Sequence, residues 1–135
     1  MPIQLTHENA ARISLVQRTI NAQIKYVPDP EKYGRLDLWE IPDEEGDCED
    51  YALAKLHRLM KMGYPREDLK ITLCWDETGT YHAVLSVDTD AGVLILDNRF
   101  SGVRTPKSCE GYRWHKRERP GELYWEDITA WNQGR

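Results

Sequence analysis

An α+β fold, with N-terminal helices packed on an antiparallel sheet, is the expected architecture of this 135-residue chain. Three observations predict it. Apolar residues recur at spacings of three and four in two stretches before Gly63, the period of helices with one buried face. After Gly63-Tyr64-Pro65 the pattern changes to short runs rich in β-branched and apolar residues, which read as strands. Asp76-Glu77-Thr78-Gly79 and Asp88-Thr89-Asp90-Ala91-Gly92 join those runs. Connections so short exclude the crossovers that parallel neighbours need, so the strands form a meander.

The first helix is expected from about Glu8 to Lys25, carried by Ile13, Val16, Ile20 and Ile24, with Thr6 as N-cap and Pro28 beyond its end. From Val27 to Pro42 the prolines, Gly34 and scattered aromatics read as an ordered loop anchored by Tyr33, Leu36 and Trp39. Trp39 could line a cleft or plug the edge of the core. A second helix opens at Cys48 and places Cys48, Ala52, Leu56, Leu59 and Met60 on one buried face, with Gly63 as its stop. The strands are expected at Leu69 to Trp75, Tyr81 to Val87 and Gly92 to Asp97. A turn centred between Thr89 and Asp90 sets His82 opposite Asp97, and a register slip of one is expected still to leave them neighbours. A last hairpin is expected from Tyr112–Lys116 and Glu122–Trp125 around Arg119-Pro120-Gly121. No internal repeat or linker interrupts the chain, and its length fits one domain over residues 1–135.

A hydrophobic content of 40% supports a globular core. The net charge of -5 and a pI near 5.4 argue against a general nucleic-acid binder. No stretch is long and apolar enough to span a membrane. The N-terminus lacks the pattern of a secretory signal, so a cytoplasmic product is expected unless the sequence is a mature fragment. Cys48, Cys74 and Cys109 fall at unrelated spacings, without a paired metal or redox motif, and reduced thiols follow. Acid concentrates from Asp43 to Asp50. Arg113, Lys116, Arg117 and Arg119 make a basic run, read as a solvated hairpin surface or a docking patch for an acidic partner.

Chemistry concentrates in Gly46-Asp47-Cys48-Glu49-Asp50-Tyr51. A thiol in the first turn of a helix sits among unpaired N–H groups at the positive end of the dipole, which favours thiolate. A nucleophilic cysteine also needs a base within hydrogen-bond reach and a third group to fix that base. His82 and Asp97 supply both if the helix packs on the meander: His82 would take and return the proton, and Asp97 would hold the imidazole. Each residue also has a structural reading. Cys48 could be a buried apolar side chain, His82 a satisfied core histidine, and Asp97-Asn98 a strand-ending turn. His57 lies about 13 Å along the helix from Cys48 at 1.5 Å per residue and is out of reach. His7 and His115 are expected to be exposed. Cys48, Cys74, His82 and Cys109 lack the paired spacing of a zinc site.

Four segments in order resemble the bacterial transglutaminase-like cysteine peptidases, a group that includes periplasmic proteases releasing biofilm adhesins. They are Asp37-Leu38-Trp39-Glu40-Ile41-Pro42, Gly46-Asp47-Cys48-Glu49-Asp50-Tyr51-Ala52, Tyr81-His82-Ala83-Val84 and Leu96-Asp97-Asn98, covering roughly Val16 to Val103. The resemblance implies a papain-like, transglutaminase-core fold and a thiol hydrolase. Its Cys-His-Asp triad falls on Cys48, His82 and Asp97, and its protein or peptide substrate is cleaved through an acyl-enzyme. An amidase or acyltransferase would use the same triad, and a non-catalytic binding module would keep the fold.

The adhesin proteases of the family depend on calcium, and the resemblance places candidate ligands at Glu45, Asp47 and Glu49, with Asp43 and Asp50 as further oxygen donors. Dense carboxylates suit a cation that takes several oxygen ligands. Glu49 and Asp50 are equally accounted for by the helix dipole. The secreted members carry a signal peptide that this sequence does not show, so a cytoplasmic or phage-encoded relative with another peptide or amide substrate is expected.

Overall fold

The computed structural model of the chain describes residues 2–26 and 45–133, with backbone alone at 25–26 and 45–46. The expected loop from Val27 to Pro42, with Tyr33, Leu36 and Trp39, lies outside the described residues. Helix α1 runs His7–Gln23. Thr6 caps it, its Oγ1 accepting the Asn9 N–H at 3.1 Å, a contact that contributes about 1 kcal/mol. Ile13, Val16 and Ile20 are buried as the spacing requires. The helix stops two residues short of Lys25, because Ile24 turns extended and Lys25–Tyr26 (β1) pairs in parallel with Glu45–Gly46 (β2).

Helix α2, Cys48–Lys61, lies between α1 and the sheet. Its first turn is tied back to α1 by Tyr51, whose hydroxyl donates to the Ile24 carbonyl at 2.7 Å. Ala52, Leu56 and Leu59 are buried as expected, but Met60 is 43% exposed. One residue past Leu59 is a 100° step around a helix, enough to carry Met60 off the buried arc. Gly63, at φ +99°, reverses the chain after the helix, a conformation that glycine takes without a Cβ penalty.

The five-stranded sheet is antiparallel throughout, in the order β5-β4-β3-β6-β7. Its strands are β3 (Leu69–Trp75), β4 (Tyr81–Thr89), β5 (Gly92–Leu96), β6 (Arg113–Arg117) and β7 (Glu126–Asp127). One face presents Leu69, Ile71, Leu85, Val87 and Leu96 to the helices. Cys74, Val84, Ile95 and Trp114 on the other face pack with Cys109, Tyr112 and Ile128 from the C-terminal segment. A leucine as fully buried as Leu59 or Leu85 contributes about 1.5–3 kcal/mol, so this two-sided core dominates the stability.

Two sequence expectations are corrected. The last hairpin closes through Lys116 opposite Asp127 and Arg117 opposite Glu126, not through Glu122–Trp125. Leu123, in that stretch, is fully exposed. The β4–β5 register pairs Leu85 with Leu96 and Thr89 with Gly92, two positions from the register expected. A shift of two keeps every side chain on its face, so His82 and Asp97 remain neighbours on a diagonal.

Candidate active site

β5 pairs with β4 only from Leu85 onward, which leaves the start of β4 open along that edge. Cys48 and Asp97 both reach this gap. Cys48 is the first residue of α2, fixed by a reciprocal cap: Asp47 Oδ1 accepts the Asp50 N–H and Asp50 Oδ2 accepts the Asp47 N–H. The cap directs the thiol at the strand, where the Ala83 N–H donates to Cys48 Sγ at 3.4 Å. The sulfur therefore rests on the peptide group that joins Ala83 to His82.

His82 is 6% exposed, and its Nε2 meets Asp97 Oδ1 at 2.7 Å. Asp97 is buried and fully engaged. Oδ1 also accepts the Arg99 N–H at 2.9 Å, and Oδ2 accepts the Tyr112 hydroxyl at 2.6 Å. The Tyr112 ring stands edge-on to the His82 ring at 88°. With Nε2 committed to Asp97, Nδ1 is the imidazole nitrogen left to exchange a proton with a neighbour.

The family model described as bacterial transglutaminase-like cysteine proteinase (BTLCP) matches residues 1–133. The chain belongs to that family. It is a transglutaminase-like cysteine peptidase, and its substrate is protein. Among solved structures, EGTA-treated LapG of Legionella pneumophila is 26% identical with a TM-score of 0.66, over 89% of this chain and 72% of that one. Calcium-bound LapG from the same organism is 23% identical with a TM-score of 0.67, over 93% and 82%. A further LapG structure is 24% identical with a TM-score of 0.67, over 94% and 79%. None of the curated proteins matches the chain. These likenesses lend the expected cytoplasmic location no support. Among the described residues, no helix is long and apolar enough to cross a membrane.

The electrostatics of the peptidase differ from the expectation that the helix start ionises Cys48. Burial is the largest influence and pushes the thiol up to about 12. Asp47, Glu49 and Asp97 add to it, against the Ala83 N–H, which favours thiolate. The dipole of one helix end is worth about 0.3–1 kcal/mol, too little to offset a shift of that size. Burial would likewise raise the Asp97 carboxyl, but the hydrogen bonds and charge of His82, with those of Tyr112 and Arg99, hold it below its ordinary value.

His115, expected exposed, is half-buried. A β-bulge opposite Leu73 and Cys74 sets it beside the ladder, where it stacks on Trp75 with centroids 4.8 Å apart and its Nδ1 meets the Tyr81 hydroxyl at 2.6 Å. Arg113 lies over Trp75 at 5.5 Å, and Arg117 is paired with Asp88 and Glu126. Within the basic run, carboxylates of the sheet thus neutralise Arg117, while Arg113 and Lys116 rest over aromatic rings. Cys74 and Cys109 are buried core thiols, and burial raises Cys74 well above its ordinary value.

Among the described residues, no group of three or more His, Cys, Asp or Glu side chains is arranged to hold a metal ion. Asp47 and Asp50 each commit a carboxylate oxygen to capping α2, and the side chain of Glu45 is outside the described residues. The described carboxylates by themselves do not fit calcium. Sequence reasoning missed Tyr112, Gln17 and Lys55. Tyr112 carries no local signal beyond Gly111, which turns the chain at φ +82° and where a Cβ, if added, would meet Glu77 Cβ at 2.7 Å.

Proposed function

We propose that the peptidase hydrolyses a peptide bond through an acyl-enzyme on Cys48, with His82 as general base and acid and Asp97 as its orienting carboxylate. The observation that carries this reading is the pair of contacts around one strand end, Asp97 on Nε2 of His82 and the Cys48 sulfur on the adjoining Ala83 N–H. A thiol held protonated by burial gains its thiolate by direct transfer to a base. The imidazolium formed is stabilised by Asp97 at 2.7 Å.

His82 Nδ1 takes the Sγ proton as sulfur bonds to the scissile carbonyl carbon. The carbonyl π electrons move to oxygen, where the Cys48 N–H, free of intrahelical bonding in the first turn, is a donor. Collapse breaks the C–N bond. The amine leaves with the proton from His82, and a thioester remains. Water then loses a proton to His82 and attacks the thioester. The carboxylic acid departs, and the proton returns to sulfur. Trp39, named by sequence as a cleft residue, takes no part in this reading.

A peptide library incubated with wild type, Cys48→Ala and His82→Ala tests it. Cleavage confined to wild type supports the triad. Products that persist with Cys48→Ala, or a His82→Ala variant at the wild-type rate, overturn it.

Calcium is a separate proposal. The calcium-bound LapG structure and the acidic stretch around Cys48 support a divalent cation near Glu45, Asp47 and Glu49, and no step of hydrolysis is routed through it. A ligand bound only to the native state raises stability, by about 2.7 kcal/mol at 100 times its Kd. An unfolding midpoint indifferent to millimolar calcium sinks this proposal and leaves the triad standing.

A further inference from the structure

Lys55 lies at the centre of α2 with its side chain wholly buried. Among the described residues no carboxylate pairs with it. Its Nζ donates to Gln17 Oε1 at 2.7 Å, and the Tyr51 ring is 5.9 Å away. A buried ammonium without an anionic partner is costly, and an apolar side chain of similar length would fill the same space without that cost. Burial lowers the Lys55 ammonium to about 7, with the Asp97 carboxylate opposing.

What Lys55 holds explains its presence. Gln17, also 0% exposed, turns its Nε2 toward three carbonyls of one loop: Asp97 at 2.9 Å, Phe100 at 2.8 Å and Gly102 at 3.1 Å. A primary amide has two orientations that differ by exchanging oxygen and nitrogen. The flipped one would set N–H donors against the ammonium and an oxygen against three carbonyl oxygens. Lys55 therefore selects the orientation that clamps the loop. Asn21 makes a contrast on the same loop. Its Nδ2 reaches the Asp97 and Phe100 carbonyls at 3.2 and 2.9 Å, while its buried Oδ1 has no hydrogen-bond partner among the described residues to lock it.

The clamped loop begins at Asp97, beyond the last ladder pair of β5, so the sheet does not fix that residue. We propose that Lys55 is a positioning residue: by locking the Gln17 amide it fixes the Asp97 backbone, and through it the Asp97 carboxylate, in register with His82. The proposal rests on the triad reading above, since it acts through Asp97 and His82 on Cys48.

The test is the pH dependence of Cys48 alkylation by iodoacetamide, read by mass spectrometry on the Cys48 peptide, beside the melting temperature of each variant. Lys55→Met removes the lock. The Lys55→Met/Gln17→Met double variant replaces both polar partners by apolar groups of similar length and keeps the core filled, a change that can be nearly neutral for stability. Gln17→Glu supplies a variant that keeps the buried ammonium paired while it turns carboxylate oxygens on the loop carbonyls.

Positioning predicts that a double variant melting close to wild type still alkylates about 10-fold more slowly near pH 6, with its profile moved to higher pH, and that Gln17→Glu does the same. Superimposable profiles in either folded variant overturn the proposal and leave the triad intact. A wild-type Cys48 no more reactive near pH 6 than free cysteine removes the triad and this proposal together.

Discussion

The Ala83 backbone N–H donates to Cys48 Sγ at 3.4 Å. A helix start and a strand edge are thereby joined at the peptide group beside His82, the residue proposed as the base for this thiol. Every expectation about reactivity depends on this junction.

His82→Ala leaves a thiol that burial pushes up to about 12 and removes the proposed base. Alkylation of Cys48 at pH 6–7 is expected to fall by about 10²–10⁴-fold, the usual contribution of a positioned acid–base group. Labelling of wild type and His82→Ala, with Cys109 as an internal buried reference, measures it. An unchanged rate would exclude His82 as the base.

Asp97→Asn replaces a carboxylate that accepts from His82, Tyr112 and the Arg99 N–H. An amide has one acceptor oxygen, and its NH₂ facing His82 favours the tautomer with the proton on Nδ1. That tautomer cannot take the thiol proton. The expected result is kcat lower by at least about 10²-fold with KM little changed, and peptide-cleavage kinetics distinguish this from loss of binding.

Tyr112→Phe removes only the hydroxyl on Asp97 Oδ2. Asp97 has its folded pKa held low against burial, so its stabilising contribution is present above the ordinary carboxylate range and is lost as pH falls through the folded pKa. Without Tyr112 that loss begins at a higher pH. Acid unfolding followed by tryptophan fluorescence should show a raised midpoint, with about 1–2 kcal/mol less stability at neutral pH.

Lys55 gives the opposite sign. Its folded pKa near 7 lies below the ordinary 10.5. Between those values the unfolded chain binds more protons, and stability rises with pH. Relative to Lys55→Met, wild type should gain up to about 1.4 kcal/mol per pH unit from pH 7 toward 10. Urea unfolding of the pair at several pH values checks the slope. A flat difference would mean that Lys55 keeps an ordinary pKa.

The local signals proved readable where one element satisfies its own groups. Thr6 before Ile13, Val16 and Ile20 located α1, and Gly63 located the end of α2. The runs Leu69–Trp75 and Tyr81–Val87 stand almost where alternation and turn residues put them, because burial on both faces leaves such runs few other conformations. Met60, Glu122–Trp125 and His115 were misjudged for a shared reason. Each depends on what packs beside it: the width of the buried arc of α2, the partner of β6, and a bulge opposite β3. None of these is encoded within a few residues of the position concerned.

By itself the sequence determined the helices, the meander, and the residue types whose order reads as a cysteine peptidase, since periodicity, capping and turn chemistry act over short spans. It also placed His82 and Asp97 on one face, because a register shift of two positions preserves the face. Only the tertiary structure decided that β5 stops pairing at Leu96, that Tyr112 comes 15 residues along the chain to complete the Asp97 site, and that Gln17 and Lys55 hold its loop from two helices. Those contacts join residues up to 85 positions apart. Their energies come from burial and from hydrogen bonds in low dielectric, which exist once the core has closed.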